Sequence, residues 1–102
     1  MAKPIFSIVD KANFRLVKFE IPGGVTTPEE FAEATVEVAA DLPGDQPVLI
    51  NGRGPVWGYG MLIHVAHPTP AVGCYDPRLG YVVVESHDAR WVVGQVIPDP
   101  EA

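Results

Sequence analysis

Three histidines, a glycine loop and an aspartate–arginine pair are the residues of this 102-residue chain whose types and spacing suit chemistry. His64 and His67 stand three apart, and His87 completes the set. Imidazole exchanges protons near neutral pH and is a common metal ligand, so three brought together would suit proton transfer or cation binding, whereas a lone histidine is more often a packing residue. Gly52-Arg53-Gly54-Pro55 reads in two ways. It is either a loop that offers backbone N–H groups at a helix N-terminus, with Arg53 as the clamp on an anion, or a strand-to-helix turn that needs small residues. No Walker or GxGxxG pattern is complete there. Asp76-Pro77-Arg78-Leu79-Gly80 is either an ordinary turn, with Asp capping and Gly closing, or an Asp–Arg pair beside a bound phosphate. Cys74 is the single cysteine, which excludes an intrachain disulfide and a zinc knuckle and reads as a buried, inert thiol.

The elements that must position these residues follow from pattern. Residues 5–9 and 14–21 run apolar or alternate around the turn-rich Asp10-Lys11-Ala12-Asn13, a β-hairpin. Thr27-Pro28-Glu29-Glu30 supplies an N-cap, a proline at N1 and a capping-box Glu, so a helix starts there; Phe31, Ala34, Val38 and Leu42 form its apolar stripe, and Leu42-Pro43-Gly44 stops it. Residues 47–51 make a short buried strand, and a second helix over 55–66 opens with proline. Its surface (Val56, Trp57, Tyr59, Met61, Leu62, Ile63, Val65) is apolar nearly all round, which predicts packing against another subunit. Strands over 70–75, 81–85 and, more weakly, 91–97 follow, with a frayed tail from Pro98.

The order ββαβαβββ contains two strand-helix-strand units, so the fold class is α/β: a small Rossmann-like sheet with a parallel centre, antiparallel edge strands and two main helices. The loops bearing Arg53, Asp76 and Arg78 then share the end where parallel strands finish, where open α/β sheets bind ligands. His64, His67 and His87 share the opposite end, near the Asp10–Asn13 turn, ~20 Å away at about 3.3 Å per residue. One subunit cannot close both sets into one site. Asp10 and Asp88 are the acids expected beside the histidines.

Length and composition fit one domain over residues 1–102, for which oligomerisation would add needed burial. No apolar run approaches a bilayer span and no signal-peptide pattern opens the chain, so a cytoplasmic protein is expected, with no membrane partner. The net charge of -6 argues against DNA. It is unevenly spread, however: Glu20, Glu29, Glu30, Glu33, Glu37, Asp41 and Asp45 fall in a stretch without Lys or Arg, and the remainder is near +1. Glu29, Glu33, Glu37 and Asp41 recur every four residues, a solvated helix face. A small anionic ligand remains compatible with the rest.

The motifs Gly52-Arg53-Gly54-Pro55-Val56-Trp57, His64, His67-Pro68-Thr69-Pro70, Tyr75-Asp76-Pro77-Arg78-Leu79-Gly80, Val82-Val83-Val84 and Ser86-His87 resemble the CRISPR-associated Csx-three proteins, the third family of CRISPR ring nucleases. The opening hairpin, through Ile8-Val9-Asp10, Asn13-Phe14 and Phe19-Glu20-Ile21, resembles it too. The resemblance implies a CARF-like domain that binds cyclic tetra-adenylate, the second messenger of type III CRISPR defence, and cleaves it with Mn²⁺. It also implies trimming of short oligoadenylate RNA ends, and homodimers that stack head to tail into tetramers or filaments around the ring. Carried over by motif, His67 is the catalytic histidine and Asp76 and Arg78 act on the phosphodiester. His64, His67 and His87 are the candidate metal ligands, and Gly52, Arg53, Gly54 and Pro55 the candidate ligand-binding loop. The alternative is a sensor that binds cyclic oligoadenylate without cutting it.

Overall fold

A computed structural model describes residues 2–42 and 44–101. β1 (Ile5–Asp10) and β2 (Arg15–Glu20) form the expected hairpin, with Ile5 opposite Glu20 and Asp10 opposite Arg15. α1 (Pro28–Ala39) begins as its cap dictates: Thr27 Oγ1 accepts from the Glu30 N–H at 3.1 Å, and Pro28 fills a first-turn position whose N–H would lack a helical partner anyway. The helix ends three residues before Leu42. Asp41 and Leu42 continue as tight turns, their N–H groups donating to Val38 and Ala39 carbonyls. Pro43, part of the expected stop, lies outside the described residues.

β3 (Val48–Gly52), α2 (Val56–Ala66), β4 (Ala71–Asp76) and β5 (Gly80–Ser86) each fall within one residue of expectation. The last strand does not. β6 is only Val96–Ile97, because Gly94, at φ 95°, turns the chain and sends its N–H to the Val83 carbonyl while Gln95 N–H bonds back to Val92. Nor does the tail fray: Glu101 ion-pairs with Lys18 on β2 and with Lys11 at 3.4 Å, strapping the C-terminal segment across the sheet.

The six strands lie in sequence order, β2, β3 and β4 parallel and the flanking pairs antiparallel. Both crossovers step the same way, so right-handed connections put α1 and α2 on one face, where they pack together. Period-two alternation then divides the core. Val17, Phe19, Val48, Ile50 and Val72 meet Phe31, Val38, Leu62 and Ala66 of the helices. Leu16, Leu49, Ala71, Tyr81 and Val83 face the other way, and the chain's own C-terminal segment covers them through Ile97, with Trp91 against Phe14 at 5.3 Å between ring centroids. No helix among the described residues is long and apolar enough to cross a membrane.

Phe19 is the hub of the helix-side core. Its ring centroid lies 5.6 Å from those of Phe6 and Phe31 and 5.7 Å from that of Tyr59. A Cβ at Gly52 would fall 2.6 Å from Phe19 Cγ, so the backbone of β3 approaches the ring as only glycine permits. α2 buries Gly58, Leu62 and Ala66 and leaves Val56 86% exposed; Gly60 faces open space.

Two glycine substitutions should therefore differ in sign. Gly52→Ala forces Phe19 out of a close-packed aromatic cluster and should cost about 1–3 kcal/mol. Gly60→Ala meets nothing and should gain about 0.5–1 kcal/mol of helix stability. Urea unfolding of both variants checks the pair.

Candidate functional site

The parallel centre delivers three connections to one end of the sheet. Those after β2 and β3 enclose a cleft of about 750 Å³ whose wall includes Glu20, Thr26, Arg53, Gly54, Pro55 and Trp57. Thr26 Oγ1 is buried in this wall without a hydrogen-bond partner among the described residues. Arg53 is exposed at the cleft. The two glycines beside it serve packing: a Cβ at Gly54 would lie 2.6 Å from Phe19 Cε2, as one at Gly52 would crowd the same ring.

Gly52 is also fixed through its backbone. The Tyr59 hydroxyl donates to the Gly52 carbonyl at 2.7 Å and accepts from the Gly52 N–H at 3.0 Å. That N–H is spent, so an anion at this loop would meet Arg53, Gly54 and the unpaired N–H groups of the first turn of α2, which follows Pro55 at its N-cap. Burial raises the Tyr59 hydroxyl above its usual range and keeps it neutral in this clamp.

Asp76 closes β4 at the same end, but neither it nor Arg78 lines the cleft. Asp76 Oδ1 accepts from the Arg78 N–H at 2.8 Å and lies 3.8 Å from Arg78 Nε, while the Arg78 side chain is 88% exposed. The stretch is thus an Asx-type turn that presents a guanidinium to solvent. Cys74, two residues before Asp76 on β4, is half-buried, and burial pushes its thiol up to about 11, so it carries almost no thiolate.

The opposite end holds the tightest cluster. His67 Nδ1 lies 3.2 Å from Glu85 Oε1 and 3.2 Å from His87 Nε2, and His87 Nε2 lies 3.3 Å from Glu85 Oε1. The two rings meet edge to face, centroids 4.6 Å apart. Three elements bring them together. His67 caps α2, and the buried Thr69 hydroxyl, 2.7 Å from the Ala66 carbonyl and 3.1 Å from that of Ala71, ties the helix end to β4. His87 is pinned where β5 ends by its N–H to the Pro70 carbonyl, 2.8 Å. Glu85 arrives by a bulge. Val72 pairs with Glu85 but Gly73 with Val83, so Val84 is the extra residue. Opposed residues share a face, so Glu85 joins Val72 on the helix side, whereas unbroken alternation from Tyr81 and Val83 would have sent it to the other.

The structure thus brings two of the three histidines together and adds a carboxylate. His64, one turn earlier on α2, is exposed and lies outside the cluster. The acids expected nearby are engaged elsewhere. Asp10 accepts from Arg15 Nε at 2.8 Å, and Arg90, bonded to Asp88 through side chain and backbone, holds that carboxyl down to about 2. Donor atoms of His67, Glu85 and His87 lie within 4.8 Å of one another, and two imidazoles with a carboxylate suit a divalent transition-metal cation. Glu85 was hidden because a bulge has no signature in an apolar run; Thr26 and Trp57 were hidden because the cleft is built from two distant connections.

Residues 22–98 match the model of the family described as CRISPR-associated protein (Cas_csx3). That stretch holds both helices, the glycine loop and the whole histidine cluster, and omits the first hairpin. The chain is also 55% identical over 51 residues to a protein of Aquifex aeolicus (strain VF5) described as uncharacterized, covering 49% of this chain and 46% of that one. The chain spans about half the length of that relative.

If Tyr59 holds the glycine loop as described, Tyr59→Phe removes both of its bonds to Gly52 with little change of shape. Stability should fall by about 1–2 kcal/mol, and the Gly52 amide should lose hydrogen-exchange protection selectively, an effect that NMR exchange rates would resolve.

Proposed function

Because the chain belongs to the CRISPR-associated Cas_csx3 family, we propose that it is a ring nuclease that binds cyclic tetra-adenylate and cleaves it in a Mn²⁺-dependent reaction, in the cytoplasm. The observation that carries this reading is the His67–Glu85–His87 cluster, a polar site of a kind a pure binding module does not need. Two edges of one protomer share the work. β4 alone separates them by about 17 Å, so the histidine edge of one copy works on a ring held by the loop edge of another. Copies then stack head to tail as dimers, and the exposed apolar side of α2 that carries Val56 is the surface we assign to the dimer.

Cleavage of the phosphodiester needs the neighbouring 2'-hydroxyl or a water aligned, a proton removed, and charge on phosphate oxygens offset. His67 Nδ1, Glu85 and His87 would hold a Mn²⁺ ion, which when bound would supply that charge offset. The other His67 ring nitrogen, outside the cluster, donates its N–H to the leaving oxygen. Arg78 and Arg53 grip phosphate oxygens through their planar forks. Asp76 positions Arg78 through the turn. Trp57, 38% exposed on the cleft wall, gives an adenine a face to stack on. Trimming of short oligoadenylate RNA follows from the same chemistry at a chain end.

A sensor that holds the ring without cutting it is the second reading, favoured by one observation: Asp76 is engaged by the Arg78 backbone N–H within an ordinary turn. Product chromatography with cyclic tetra-adenylate and Mn²⁺, at several protein concentrations, separates the two. For the nuclease, linear products rise faster than linearly with protein, and His67→Ala lowers the rate by about 100-fold or more. An intact ring that still binds, in an Arg53-dependent way, establishes the sensor.

A further inference from the structure

We propose that the free edge of β1, beneath the acidic face of α1, takes up an extended basic segment of another protein as an added strand. This inference is independent of the ring nuclease reading. β1 is the end strand of the sheet, so one side of its backbone has no strand partner among the described residues. Beside it runs a groove of about 600 Å³ with an apolar floor of Phe6, Ile8, Ala34 and Val38 and a rim of Asp10, Glu37 and Asp41. Arg15 lines its inner end, bonded to Asp10 at 2.8 Å and to Asp45 at 3.2 Å.

The chain already shows what this rim accepts. Lys3, just before β1, places its ammonium 3.1 Å from Glu33 Oε2 and 3.2 Å from Glu37 Oε1, and those carboxylates raise its pKa. The spacing extends the pattern. Glu33 and Glu37, four apart on α1, are about 6 Å apart along its axis, and alternate side chains of an extended strand about 6.6 Å, so successive basic residues on an added strand would meet the two in step, with Asp41 in the turn beyond. Their aliphatic stems would lie on the groove floor. A second copy of this chain does not fit: β1 holds no basic residue, and pairing β1 to β1 would set two acidic stripes against each other. Strand addition with charge at alternate positions is the recognition mode that matches.

The probe is a capped, fluorescent peptide of the length of β1, six residues, with lysine and valine alternating, titrated against the full chain. Saturable binding is expected that weakens with salt and falls about five- to tenfold in the double variant Glu37→Gln/Asp41→Asn, whose sites are exposed and leave the core untouched. The same peptide N-methylated at every second residue, in both registers, keeps its charge and loses the hydrogen bonds of one edge, and one of the two registers should fail to bind. No binding, equal binding by both methylated peptides, or an unchanged affinity in the double variant would each overturn the proposal.

Discussion

Phe19 projects from β2 into space that Gly52, at the end of β3, and Gly54, in the loop after it, leave empty, and the loop bearing Arg53 and both helices are arranged around that contact. The ring touches β1 through Phe6, α1 through Phe31 and α2 through Tyr59, so one side chain joins three elements to the sheet. A larger residue at Gly52 or Gly54 would have to move it. Because the interior is close-packed, the position of the loop bearing Arg53 is set by what lies beneath it rather than by the loop's own conformation. Tyr59, itself part of the aromatic cluster, adds hydrogen bonds to the same backbone. The conformation of a polar loop is thereby inherited from an apolar core.

A parallel centre imposes a second constraint. Strand ends and strand beginnings fall on opposite edges, so arginines in the outgoing loops and histidines at the helix and strand ends cannot be neighbours. The sheet is wound to one side only, and its other face depends on a C-terminal segment with little regular structure. That segment is held by Trp91 on Phe14, by Ile97 over Tyr81 and by Glu101 on two lysines. The histidine edge lies directly before this segment, at the end of β5.

How far the sequence alone led depended on whether an element was specified locally. The hairpin, the Thr27 cap, both crossovers and the parallel centre follow from alternation, capping chemistry and connection length, and each lies close to where pattern puts it. The two features that were misread, the last strand and the tail, are decided by long-range contacts: Gly94 folds back on Val83, and Glu101 finds lysines some eighty residues earlier. At the functional edges the same division holds. His67 and His87 converge because topology carries them there, whereas Glu85 reaches them only because one residue of β5 is unpaired. The cleft wall combines Thr26 with Arg53, a pairing no local pattern encodes.

That unpaired residue, Val84, makes the chemistry of the histidine edge a matter of counting. Paired without this offset, the same strand would set Val84 against Val72 and Glu85 against Ala71, so the acid would point to the far face and leave two imidazoles without an anionic companion. Loss of the carboxylate therefore requires no change of amino-acid type, only of pairing register. Deletion of Val84 would instead straighten the ladder and still leave the acid opposite Val72, so the edge keeps three donors wherever the acid of β5 pairs with that position, bulged or not.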